Sequence, residues 1–392
     1  MRTKSIAERR TVCGQPSWQI ASSTVEASVT VRGGHLAPVV FDRKRRRIQP
    51  FSIAPWWNEK LPSGLPQLLH VLRGDFFCMP FGGNDVPFGK EKYPPHGETA
   101  NRTWTFEEAE RVGNCVTLFL SLKTKVRPGR VEKRITLVDG HNAVYCRHVI
   151  SGMSGPMSFG HHATLKFPDE PGSGRLSTSP IRFGLVTPKP TEQPEARGYS
   201  ILQPGAKFSS LDRVRMITGK LADLSHYPAR RGFEDIAQLV TGPGQPFAWT
   251  AVTFPRERYV WFALKDPEVL KHTLLWMSNG GRHYAPWSGR HVSVMGLEEL
   301  TSYFHYGLAE SARPNDISKS GNETCLRLNP KEPLVVNYIM AVAGIPKGFD
   351  RVKSIAPVPR RNAVVLAAHS GTHVTVPLVH GFLTPGRTNR RR

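Results

Sequence analysis

Glycine and proline cut this chain into short apolar runs. There are 35 Gly and 33 Pro in 392 residues, well above the roughly 12% that the two usually reach together. Runs bounded in this way read as short strands joined by turns rather than as long helices. The clearest run spans 25–31, where Val25, Ala27, Val29 and Val31 alternate with Glu26, Ser28 and Thr30. That is the period of a half-buried strand. Gly33-Gly34 gives a turn and 35–41 a second strand. Further strands are expected at 72–80, 115–122, 247–254, 259–264, 272–277, 291–295 and 334–342. Asp139-Gly140 closes a hairpin of 131–138 with 143–150, and Ser370-Gly371 one of 364–368 with 374–379. Leu297, Leu300, Phe304 and Leu308 step by three and four, which predicts one short amphipathic helix. No strand–helix alternation is present. The fold class expected is therefore all-β, a large antiparallel β-sandwich with few short helices. Residues 1–15 read as a flexible basic tail, 16–385 as one β-sandwich domain and 386–392 as an Arg-rich tail.

The charge is lopsided: 53 Lys and Arg against 31 Asp and Glu, a formal net charge of +22. Such a field attracts anions of every kind, from nucleic acid to a phosphorylated sugar, without choosing among them. Part of it sits in the block Arg43-Lys44-Arg45-Arg46-Arg47 and in the closing Arg390-Arg391-Arg392. The block reads as a solvated turn, so no obligate nucleic-acid partner is expected. Five scattered cysteines with no C-x-x-C pair argue against a disulfide framework or a zinc knot and favour reduced thiols. No apolar run approaches the ~18 residues of a membrane span, and the basic N-terminus lacks the apolar core of a secretory signal. A cytoplasmic protein with no membrane partner is the expectation; the oligomeric state is left open.

Nucleotide motifs are absent: there is no GxxxxGK[ST] and no strand-linked GxGxxG. His369 and His373 have the spacing of a helical zinc pair, but the Ser-Gly between them breaks any helix. Three stretches remain. PPHGETANRTW at 94–104 lies in a long Gly/Pro-rich loop, and loops of that length are often functional. There His96 and Glu98 can face a cleft, and Trp104 offers a flat face to a sugar ring. FGHHATL at 159–165 carries adjacent histidines, whose side chains point to opposite faces of a strand. In VMGLEE at 294–299 an apolar strand runs into Glu298. At a helix start, that carboxylate would be held ionised, as suits a general base.

Taken in order, these stretches resemble the galactose mutarotase-like superfamily, the aldose 1-epimerases and their relatives. VEASVTVRGGHLAPVVF is similar to the opening hairpin of that fold. RGDFFCMPFGGN at 73–84 is similar to the strand before its first histidine, HGETANRTW to the first His motif, SFGHHATLKFP to the second, and VMGLEE to the strand that ends in the catalytic Glu. The resemblance implies an isomerase that interconverts the α and β anomers of an aldose, with no metal or redox cofactor. Glu298 would be the base, His162 the acid and His96 a hydrogen-bonding partner of the reacting oxygens. His162 is preferred to His161 on the family's Gly-x-His spacing. Arg73, Asn101 and Trp104 would bind the sugar, and Arg73 or Arg102 would reach an anionic one. Asp235 is taken, with no motif behind it, for the family's substrate-binding acid. The aromatic that follows the second His in the family is missing here. The alternative is accordingly a non-catalytic sugar-binding protein on the same scaffold.

Overall fold

The computed structural model describes residues 6–244 and 246–384. Two antiparallel sheets dominate. The larger has nine strands. From one edge these are Thr105–Val112, Cys115–Thr124, Gly129–Val138, Ala143–Ser151, Leu334–Gly344, Tyr259–Lys265, Ala248–Phe254, Gly174–Thr178 and His226–Tyr227. The smaller has seven: Phe77–Cys78, Phe159–Lys166, Val294–Thr301, His272–Asn279, Phe233–Thr241, Ile181–Val186 and Lys207–Phe208. The main core lies between them, built from residues such as Ala163, Leu165, Leu275, Leu297, Trp261 and Met340.

The strand-and-turn reading holds for most of the runs; of the stretch 72–80 only Phe77–Cys78 is a strand, and the strand expected at 291–295 begins at Val294. Both expected hairpins form, Gly129–Val138 with Ala143–Ser151 and Ala363–Ala368 with His373–Pro377. The latter, with Val352–Pro357, makes a three-stranded sheet whose apolar face packs on the outer side of the nine-stranded one, through Val364, Leu366, Phe262 and Ile339. The basic block lies in a turn, with residues 44–47 exposed.

Two expectations are corrected. Glu8–Val12, assigned to a tail, is a strand paired with Gln15–Ala21 across the Cys13-Gly14 turn. The tail assigned to 386–392 lies outside the described residues. The helix expected over 297–308 is not there either. Val294–Thr301 is a strand, every residue of it buried, and the only helical turn nearby is Leu308–Ala312. The cause is burial on both faces. A central strand covered above and below carries apolar side chains on either parity, so Leu297 and Leu300 mimic helical spacing. Among the described residues no helix is long and apolar enough to cross a membrane, and the five cysteines are free.

Candidate active site

The parity of three neighbouring strands builds the site. On Val294–Thr301, Met295, Leu297 and Glu299 point between the sheets, and Gly296, Glu298 and Leu300 point the other way. His162 pairs in register with Glu298, and Glu298 with Leu274 on the next strand. His162 Nε2 lies 3.2 Å from Glu298 Oε1. Gly296, two residues earlier on the same face, makes this possible: a Cβ there would stand 2.3 Å from Glu298 Oε1. The glycine of VMGLEE is thus room for the carboxyl.

The RGDFF stretch shapes the histidines. Phe76 stacks on His162 with centroids 4.4 Å apart, and its carbonyl accepts the His162 amide at 2.9 Å. The residues on either side face the inner core, where Asp75 Oδ2 bonds His161 Nδ1 at 2.8 Å and Phe77 stacks on His148. The two adjacent histidines therefore do separate, His162 to the cavity and His161 to the core. Glu299 likewise turns inward, to an ion pair with Lys265 and a bond from Thr273 Oγ1 at 2.7 Å.

His96 arrives from the long loop. Its ring meets that of His162 edge-on at 5.0 Å, and its Nδ1 lies 3.4 Å from Cys78 Sγ. Its φ is +59°, a left-handed conformation uncommon for a residue with a Cβ, though histidine adopts it more readily than most. Gly97 follows at φ +75°, where a Cβ would fall 1.9 Å from the Met79 carbonyl oxygen. Only glycine fits.

These groups line a cavity of about 200 Å³. His162 and Glu298 are buried at its floor with His96 beside them, and His96, His305 and Arg282 keep some exposure. Leu68, Leu72, Ile236 and Leu274 form aliphatic walls, with Trp276 and Trp287 beside them. Arg282 lies over both indoles and is tied by Nε to Glu192 Oε1 at 2.6 Å, with Glu234 Oε1 at 3.8 Å.

Burial governs the electrostatics. It raises Glu298 well above the usual carboxyl range and drives His162 far below the usual imidazole range. His96 falls to about 3 and His305 to about 4, by burial first and then by neighbouring positive charge. Burial also lifts Glu234 to about 7, against the pull of Arg282. Thr164 Oγ1 can donate to the His162 carbonyl at 3.5 Å, which leaves it to accept from His162 Nδ1–H at 3.2 Å. Nε2 is then unprotonated and stands beside Glu298 Oε1, in close contact but out of line for a hydrogen bond. The raised pKa corrects the expectation of an acid held ionised by a helix start, since Glu298 stands within a strand.

The residues expected to bind sugar are placed elsewhere. Arg73 is buried with its guanidinium on the carbonyls of Val71, Val12 and Cys13, at 3.2, 3.1 and 3.0 Å. Asn101 accepts from Leu68 N and donates to the carbonyls of Pro95 and Gly97, so it ties down the loop that carries His96. Trp104 is core, its Nε1 on the Thr99 carbonyl at 2.9 Å and its ring beneath Lys133. Glu98 is buried against the amides of Lys125 and Val126 and the side chain of Arg102, which removes Arg102 as well. Asp235 faces away and accepts from the amides of Ile201 and Leu202; the acid on the cavity side of that strand is Glu234.

Sequence reasoning missed Arg282, Trp276, Trp287 and His305. One signal was available. The stretch GGRHYAPW at 280–287 is a second Gly/Pro-rich loop and leads directly into the strand of Glu298. His305, in FHYG, follows that strand.

No protein-family model matches this chain, and no curated protein does. Solved structures do. A galactose mutarotase-like protein from Clostridium acetobutylicum aligns over 88% of this chain and 100% of its own, with a TM-score of 0.56 at 11% identity. A galactose mutarotase related enzyme from Lactobacillus acidophilus aligns over 86% of this chain and 100% of its own, with a TM-score of 0.52 at 12% identity. Across most of its length, the chain has the fold of the galactose mutarotase-like proteins.

Proposed function

We propose that this protein is an aldose mutarotase, with Glu298 and His162 as its proton-transfer pair. The observation that carries the reading is the 3.2 Å contact between His162 Nε2 and Glu298 Oε1 at the floor of a cavity of monosaccharide size. One proton between the two groups suffices. Passed from the Glu298 carboxyl to Nε2, it leaves a carboxylate base beside an imidazolium acid. Glu298 then takes the proton of the anomeric hydroxyl, the bond from C1 to the ring oxygen breaks, and His162 protonates that oxygen. Rotation about C1–C2 and the reverse transfers close the ring on the other face. A raised carboxyl pKa makes the stronger base, and a lowered imidazole pKa the stronger acid, once the pair is in its charged form. His96, edge-on to His162, is placed to bond the reacting oxygens.

A sugar-binding role without turnover is favoured by one feature: burial raises the pKa of Glu298, which favours the protonated carboxyl, and a protonated carboxyl is no base. Exchange NMR separates the readings. Catalysed anomer exchange of an aldose that is lost in Glu298→Gln supports the mutarotase. Binding with no exchange, in the native protein, supports the alternative.

A further inference from the structure

Two residues of RGDFFCMPFGGN turn to the cavity side of their sheet. Phe76 stacks on His162. Cys78, two residues on and so on the same face, is buried with its Sγ 3.4 Å from His96 Nδ1, a hydrogen-bonding distance for sulfur. The proton transfers of Glu298 and His162 do not use this thiol. Nor does it line the cavity, so it can act on a ligand only through His96.

One direction of that bond satisfies both groups. Burial raises the thiol well above its usual range and holds the imidazole neutral, with a pKa of about 3. Each group therefore carries one proton, and a thiolate beside an imidazolium is excluded. Were the ring to donate from Nδ1, the thiol proton would be left with the Phe76 carbonyl. That oxygen is 3.9 Å away and already accepts the His162 amide at 2.9 Å. When the thiol donates instead, its proton meets an imidazole lone pair, a far better acceptor than sulfur. The bond at one ring nitrogen decides the tautomer. The ring proton then sits on Nε2, which has no hydrogen-bond partner among the described residues and is not sealed from the cavity. His96 thus meets a ligand as a donor. In anomer exchange the anomeric oxygen gains negative charge as Glu298 removes its proton, and the ring oxygen as its bond to C1 breaks. A fixed N–H stabilises either one.

On the reading of the site as a mutarotase, we propose that Cys78 is a positioning residue: its thiol donates to His96 Nδ1, holds the ring in place and keeps the proton on Nε2, from which His96 donates to a reacting oxygen of the sugar.

The test uses the full chain with isotope-labelled histidine. Long-range proton–nitrogen NMR at neutral pH reads which ring nitrogen carries the proton; the His96 signals are those missing from His96→Gln. Exchange NMR reads kcat/KM for D-glucose or D-galactose, whichever is turned over faster. The native protein should show the proton on Nε2 and Nδ1 shifted as a hydrogen-bonded acceptor. Cys78→Ala should remove that shift and lower kcat/KM about fivefold to tenfold, the worth of one hydrogen bond. Cys78→Ser keeps a donor and should restore most of both. A native proton on Nδ1 would overturn the proposal, and that measurement needs no variant to fold. So would parental kcat/KM in Cys78→Ala, or a loss that serine does not repair, since either leaves Cys78 as packing alone. Binding of sugar without exchange would sink the mutarotase, and the nitrogen spectrum would still decide the bond from Cys78, with affinity in place of kcat/KM.

Discussion

Replacing Glu298 by Gln tests the site most directly, because the structure sets apart what the change removes and what it keeps. Glutamine has the same shape, so the room made by Gly296 stays filled. Its amide can still sit beside His162 Nε2, as the carboxyl does at 3.2 Å. What disappears is the ability to give up and regain a proton. A positioned base contributes typically about 10²–10⁴-fold, so kcat for anomer exchange should fall by at least ~10²-fold with KM little changed. Stability should move the other way. In the native protein the folded state favours protonated Glu298, whereas the unfolded chain ionises it above about 4.5. The carboxyl's contribution is therefore fully present below that pH and is lost as pH rises through the folded pKa, by up to ~1.4 kcal/mol per pH unit. Glutamine does not titrate, so the variant should equal the parent near pH 4.5 and exceed it at pH 7.5. Thermal melts at both pH values and exchange NMR on one protein preparation read both effects. Native-rate exchange in Glu298→Gln would refute the proton-transfer role. A pH-independent stability difference would refute the buried, protonated carboxyl.

The remaining predictions are structural. Gly97→Ala should destabilise the protein by about 2 kcal/mol or more and disable exchange, since a Cβ would collide with the Met79 carbonyl at a φ of +75°; a melt at the parental temperature would contradict this. Asn101→Ala leaves the Leu68 amide and the Pro95 and Gly97 carbonyls without that partner. It should lower kcat several-fold through His96, with the loss not recovered by saturating sugar, and an unchanged kcat would count against it. His35, His96, His272 and His291 have pKa values of about 3 set chiefly by burial. Their contributions are complete above about 6.5 and are lost as pH falls, so melts should drop between pH 6.5 and 5 despite the opposite trend of Glu234 and Glu298. A flat profile would argue that these rings are hydrated.

The sequence made the strands legible because alternation and turn residues are local signals. It also singled out His96, His162 and Glu298, each from a short motif, and the fold brings the three to one cavity. The separation of His161 from His162 followed from strand parity alone. The rest needed the third dimension. Glu298 was misread as a helix-start acid because a strand buried on both faces loses its alternation. Nothing local distinguishes an arginine that binds substrate from one that satisfies carbonyls, and Arg73 does the latter for a turn some 60 residues away in sequence. Arg282 and Trp287 left only a Gly/Pro-rich loop as a signal and Trp276 only a strand, and it is sheet order that brings them beside His162.

The same argument from partners bears on an anionic sugar. Arg73 and Arg102 were the arginines that would reach one, and both are spent elsewhere. The one arginine that lines the cavity sits between Glu192 and Glu234. A phosphate could take only the Nη1–Nη2 edge without displacing Glu192 from Nε, and both carboxyls would stand nearby to repel it. If Arg282 positions the tryptophans rather than an anion, Arg282→Met should leave the preference between a sugar and its 6-phosphate unchanged. It would also strand Glu192 and Glu234 without their cation and lower the melting temperature. Loss of a phosphate preference with stability intact would show instead that the arginine serves an anionic ligand.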